Sequence, residues 1–161
     1  MTSPGGPRAL ICDFGGVIAQ ATAQRMTEAP APTAAERLLI ALEVEHGMLD
    51  YVRTVRARGW RTALLTNNAY RIGPEWRAKV PDLKAVFHVV VDALVAGVRK
   101  PERAAYELTL DALGVAAEEC IFVDDVEANC LAAAELGMHA VCFRSVDQAI
   151  REIEEASLAR A

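Results

Sequence analysis

Short apolar runs alternate with helix-period stretches along the whole chain, the pattern of an α/β protein built on a parallel sheet. Residues 8–12 read RALIC, a buried first strand, and the turn residues Gly15 and Gly16 follow. The spacing predicts a helix over 33–46: Thr33 and Glu36 form a capping-box pair, and Leu38, Leu39 and Leu42 share a face. A second helix is expected over 48–58, closed by Gly59. Residues 62–66 (TALLT) and 86–91 read as the second and third strands. A helix over 102–113 stops at Gly114, a fourth strand covers 120–123, and a helix over 126–136 stops at Gly137. A fifth strand over 140–143 precedes a C-terminal helix from about Val146. Residues 19–32 are rich in Ala, Thr and Pro and read as a flexible stretch.

The bulk numbers narrow the setting. A length of 161 residues favours one domain, 1–161, with a small insertion at about 19–46. Hydrophobic residues at 53% and charged residues at 24% supply enough apolar material for a single core. A net charge of −5 without a basic stripe speaks against nucleic acid or an anionic membrane as partner. An anionic substrate would have to be held by local geometry and a metal. Cys12, Cys120, Cys130 and Cys142 form no CxxC pair and no zinc spacing, and read as buried reduced thiols. The first residues, MTSPGGPR, have no apolar h-region, and no apolar run approaches the roughly 20 residues of a membrane span. The expectation is a soluble, cytoplasmic protein.

Ligands of open parallel sheets bind beyond the carboxyl ends of the strands, so the polar residues there carry the chemistry. Asp13 follows the first strand, and Thr66, Asn67 and Asn68 follow the second. Lys100 precedes the helix at 102–113, and Asp124 and Asp125 follow the fourth strand, with Asn129 a turn later. Any one of these could be a cap or turn residue. Together, clustered carboxylates with a lysine and a hydroxyl suit magnesium and phosphate, because magnesium takes hard oxygen ligands and keeps waters. His46, His88 and His139 have no nucleophile–base arrangement, Trp60 and Trp76 read as packing residues, and Asp92 reads as a turn residue.

The order and wording of these pieces resemble the haloacid dehalogenase superfamily. CDFGGVI is similar to its first motif, LLTNN to its second, GVRKPERAAYEL to its third and IFVDDVEANCLAAAELGM to its fourth. The likeness covers about residues 8–143. It implies a Rossmann-like three-layer α/β core with a parallel sheet of about five strands and a truncated helical cap. It also implies a magnesium-dependent phosphohydrolase in which Asp13 is the nucleophile and forms an aspartyl-phosphate. Magnesium would then be held by Asp13, the Gly15 carbonyl and Asp125, with Asp124 acting through a water. Thr66, the Asn67 N–H and Lys100 would neutralise the phosphoryl oxygens.

Two departures from the family pattern stand out. Most phosphatases of the family carry an aspartate two residues after the nucleophile as general acid and base, and here that position is Gly15. General acid–base catalysis is worth about 10²–10⁴-fold, so slow turnover or a good leaving group is expected. The stretch between Asp13 and Thr66 is also short, 53 positions (66 − 13), which leaves little room for a cap. The apolar residues Leu38, Leu39, Ile40 and Leu42 then need burial on the core or in a homodimer. The rival reading is a catalytically weak or inactive binding and oligomerisation module, favoured by Gly15. A dehalogenase would not need the acidic pair. A phospho-acceptor receiver domain carries its acidic pair after the first strand, the reverse of the order here.

Overall fold

A computed structural model describes residues 5–31, 33–67, 74–80 and 82–159. Asn68, one of the strand-end residues singled out above, lies outside them. The first strand, β1 (Ala9–Cys12), is buried at every position, as an apolar run without alternation requires in the middle of a parallel sheet. It runs between β4 (Arg61–Thr66) and β6 (Cys120–Asp124), and β5 (Val89–Asp92) and β7 (His139–Cys142) take the edges. The order is β5-β4-β1-β6-β7 and all four pairings are parallel. This is the expected five-stranded Rossmann-like α/β sheet.

Helices cover both faces. On one, α3 (His46–Ala57) and the C-terminal α7 (Val146–Ala159) bury Met48, Val52, Val55 and Ile153 against Leu10, Leu64 and Val123. Tyr51 of α3 donates its hydroxyl to Glu154 Oε1 of α7 at 2.8 Å. On the other, α5 (Arg103–Leu113) and α6 (Glu127–Glu135) pack Tyr106, Leu110 and Ala133 onto Ile11, Leu65 and Phe122. The predicted stops hold: Gly59, Gly114 and Gly137 take φ of 91°, 67° and 100°. Among the described residues, no helix is long and apolar enough to cross a membrane.

Three local predictions are corrected. The stretch read as flexible contains β2 (Ala19–Gln20) and α1 (Ala23–Glu28), the latter capped by Thr22. The helix expected over 33–46 is α2 (Ala34–Ala41), whose capping box between Thr33 and Glu36 forms as read. It ends early because Glu43–Val44 is a short strand, β3, pairing antiparallel with β2. The Glu45 N–H also bonds Ile18 O at 2.7 Å, so tertiary pairing overrides a continuous helix. The strand expected over 86–91 begins only at Val89, because Leu83–Val86 forms a helical turn, α4, that seats Val86 and Phe87 in the core. Leu42 is buried, and Leu38 and Leu39 pack against the same core, so the fold itself covers three of the four residues read as needing burial.

Candidate active site

The carboxyl ends of β1 and β6 and the loops after them meet at a cavity of about 470 Å³. Asp13 emerges directly from β1 and is anchored by its own N–H to Val123 O at 2.9 Å. Its Oδ1 accepts the Phe14 N–H at 2.7 Å and lies 2.9 Å from Lys100 Nζ. Both contacts fall on Oδ1, which leaves Oδ2 outside them. Phe14 behind it is locked into the core against Trp76, ring centroids 4.7 Å apart.

Lys100 is 3% exposed and bridges two carboxylates, with Nζ 2.7 Å from Asp124 Oδ2. Asp124 is fully buried at the end of β6 and bonded at both oxygens. Oδ1 accepts the Val126 N–H at 2.9 Å, and Oδ2 accepts Asn129 Nδ2 at 3.0 Å as well as the lysine. Asp125, next in the chain, is exposed and faces Gly16. Gly16 has φ of 86°, and a Cβ there would fall on the Asp125 carboxylate, so glycine is required twice over.

The carboxylates of Asp13, Asp124 and Asp125 each offer an oxygen, and these oxygens lie within 4.8 Å of one another. Three carboxylates beside one ammonium leave two negative charges unbalanced (−3 + 1 = −2). Burial pushes the Asp13 carboxyl up to about 7 despite the neighbouring Lys100. Burial alone would lower the Lys100 pKa, but Asp13 and Asp124 hold it above the ordinary lysine value. The two shifts agree physically: one cation cannot serve two buried carboxylates, and the deficit falls on Asp13. Asp125, exposed as a residue but with a carboxyl partly shielded from water, is also raised, by that desolvation first and by Asp124 second. A hard divalent cation that keeps some of its waters fits this donor set, with Asp13 and Asp125 as the carboxylates least committed to protein partners.

The structure places the remaining predicted residues as follows. Gly15 and Asn67 line the cavity with Asp13, Lys100 and Asp125. Thr66 is fully buried at the end of β4, two positions past Leu64, the register partner of Cys12. Asp92, read as a turn residue, instead ends β5 and is buried, accepting Trp76 Nε1 at 3.4 Å. Two contributions were not legible in the sequence. The Asn67 side chain clamps the Lys100 backbone, donating to its carbonyl at 3.0 Å and accepting its N–H at 3.1 Å. Asn129, noted only for its place one turn on, bonds the Asp124 carboxylate while its carbonyl accepts the Tyr106 hydroxyl at 2.9 Å.

A parallel sheet whose strand ends gather carboxylates around a buried lysine is the core of an α/β enzyme. A family profile described as haloacid dehalogenase-like hydrolase matches residues 17–137, and the chain belongs to that family of hydrolases. The matched span holds Thr66, Lys100, Asp124 and Asp125 and begins four residues after Asp13 (17 − 13). Acyl-CoA dehydrogenase family member 10 of Mus musculus is 34% identical over 107 residues, 66% of this chain and 10% of that protein. Flavin mononucleotide hydrolase 1 of Arabidopsis thaliana is 30% identical over 112 residues, 68% of this chain and 44% of that protein. The chain therefore spans well under two thirds of either relative. In structure it resembles a HAD family enzyme from Bacteroides thetaiotaomicron, solved in complex with magnesium and inorganic phosphate. The TM-score is 0.73 at 18% identity, over 86% of this chain and 95% of that one, a likeness of fold.

Proposed function

We propose that the chain is a magnesium-dependent phosphohydrolase acting on a small phosphorylated metabolite, with Asp13 as nucleophile. The observation that carries the reading is the position of Lys100. It holds Asp13 Oδ1 and Asp124 Oδ2 at 2.9 and 2.7 Å and leaves the second oxygen of Asp13 outside both contacts, beside a cavity. Asp13 Oδ2 attacks phosphorus in line, the bond to the leaving oxygen breaks, and water later hydrolyses the aspartyl-phosphate at phosphorus. The Lys100 ammonium, the Thr66 hydroxyl and the Asn67 N–H neutralise charge on the phosphoryl oxygens. Asp13, the Gly15 carbonyl and Asp125 would hold magnesium, with Asp124 acting through a water, and the ion would supply charge neutralisation at the phosphoryl group. The inserted segment β2–α1–α2–β3 serves as a reduced cap over this site.

The support is a shared fold with an enzyme solved with magnesium and phosphate, a relative described as a flavin mononucleotide hydrolase, and the −2 charge deficit at the carboxylates. The three-carboxylate cluster also favours a phosphatase over a dehalogenase, which has no use for a cation site. Gly15 favours the other reading, an inactive module, since no side chain at that position can protonate a leaving group. Hydrolysis of acetyl phosphate and 4-nitrophenyl phosphate, with magnesium or with EDTA, separates them. The phosphatase reading expects magnesium-dependent turnover that Asp13→Asn abolishes. Folded protein that turns over neither substrate with magnesium present refutes it.

A further inference from the structure

The cavity has two unlike halves. Its floor is the charged cluster, and beyond the floor it is bounded by the insertion: Ala19 and Gln20 of β2 with Ala21 after them, and Leu38 of α2 with Leu42, the residue that caps its C-terminus. Leu38 lies in α2 and Leu42 caps it four positions on, its N–H bonded to Leu38 O at 3.0 Å, so the two follow each other across the last turn. Their placement is fixed by contacts at both ends of α2. The capping box closes its start, Arg25 Nε donates to Ala41 O at 3.1 Å, and Lys79 Nζ donates to Leu42 O at 3.3 Å. The two cations satisfy carbonyls that a helix C-terminus leaves open and favour its negative end. The pairing of Ala19 with Val44 and Gln20 with Glu43 ties β2 to the far side of the helix.

Resting on the phosphatase reading, we propose that Leu38 and Leu42 form an apolar leaving-group subsite, and that the substrates are phosphate esters of an acidic hydroxyl on an apolar body, aryl or enolic. Two independent observations converge on this class. In-line attack sends the leaving oxygen away from Asp13, and in this proposal the leucine wall of the same cavity receives it. There the described wall offers no proton donor stronger than the Gln20 amide, and Gly15 offers no side chain. A leaving group that departs as a stabilised oxyanion needs no acid, and an aromatic body gains from the leucine face.

The test compares phenyl phosphate with 2-naphthyl phosphate, whose phenols are of similar acidity, using acetyl phosphate as the reference that reaches only the floor. The wild type is expected to prefer the naphthyl ester over phenyl by roughly 10-fold or more in kcat/KM, the scale of modest apolar discrimination. Calorimetry with naphthylmethyl phosphonate and methyl phosphonate, neither of them hydrolysable, should show the same preference in affinity and a negative heat-capacity change. Leu38→Ala, checked for folding by its melting curve, is expected to lower the naphthyl-to-acetyl ratio about 10-fold, and Leu38→Met to restore most of it. Equal kcat/KM and equal phosphonate affinity for the large and small bodies in the wild type overturn the subsite while leaving the phosphatase standing. Failure to hydrolyse acetyl phosphate and every aryl phosphate tested overturns the phosphatase itself.

Discussion

Replacing Lys100 with methionine keeps the aliphatic stem and deletes only the ammonium. The side chain is 1% exposed, and its partners Asp13 and Asp124 are 11% and 0% exposed, so water cannot take the place of the lost cation. Removing one partner of a buried charge pair costs about 3–5 kcal/mol, because the carboxylates left behind are desolvated without compensation. For a chain of this length each kcal/mol moves the melting temperature by about 2–4 °C, so a fall of roughly 6–20 °C is expected in EDTA. Magnesium should recover more of the loss in the variant than it adds to the wild type, since the cluster goes from −2 to −3 when the ammonium is deleted. Differential scanning fluorimetry of both proteins, each with EDTA and with magnesium, reads all four quantities. A variant that melts within about 2 °C of the wild type in EDTA would falsify the claim that the lysine neutralises a buried deficit.

Three further outcomes follow from the same geometry. Gly16→Ala forces a left-handed φ onto a side chain and drives its Cβ onto the Asp125 carboxylate, so it should cost about 1–2 kcal/mol and at least 10-fold in magnesium affinity, read by titration calorimetry; unchanged affinity removes Asp125 from the cation site. The Asp13 carboxyl is raised from 3.8 to about 7, so its contribution to folding is present below about pH 4 and is lost as pH rises to about 7. A cation must displace that proton, so its stabilising effect should be larger at pH 8 than at pH 5; a shift in melting temperature independent of pH across that window contradicts the reading. Asn67→Ala removes both hydrogen bonds to the Lys100 backbone and should cost about 1–3 kcal/mol. Equal melting temperatures for wild type and Asn67→Ala would show that the clamp is idle.

What could be read from the sequence was whatever is written locally. The runs around Leu10, Leu64 and Phe122 announce buried strands by composition, and the residues closing them, Asp13, Thr66 and Asp124, stand out as polar groups with no place in an apolar run. The capping box at Thr33 and Glu36 is likewise a matter of three-residue spacing. Features that depend on a distant partner were invisible. The α2 helix ends at Ala41 because Glu43 and Val44 pair with a strand 24 positions upstream (43 − 19), and nothing near residue 42 signals it. Val86 and Phe87 are apolar enough for a strand, yet their burial is achieved from a helical turn, an ambiguity that short apolar runs always carry. The Asn67 clamp links positions 33 apart (100 − 67) through the side chain of a residue whose expected role was its backbone N–H. Leu38 and Leu42 were recognised as needing cover, but only the cavity shows that part of what they face is the reaction site.

The central place of β1 also dictates when the site can come into being. Ala9 pairs with Arg61 and with Cys120, which lie 52 and 111 positions further along (61 − 9 and 120 − 9). Such pairings close long loops and form slowly, so the middle of the sheet is assembled late. A nascent chain that has reached residue 119 already holds Asp13 and Lys100 but has made neither Asp124 nor Asp125. When β6 docks, it completes the sheet beside β1 and in the same movement delivers two of the three carboxylates. Closing the core and completing the three-carboxylate cluster are therefore one event, and if the cluster binds a divalent ion as proposed, that binding reports a finished fold.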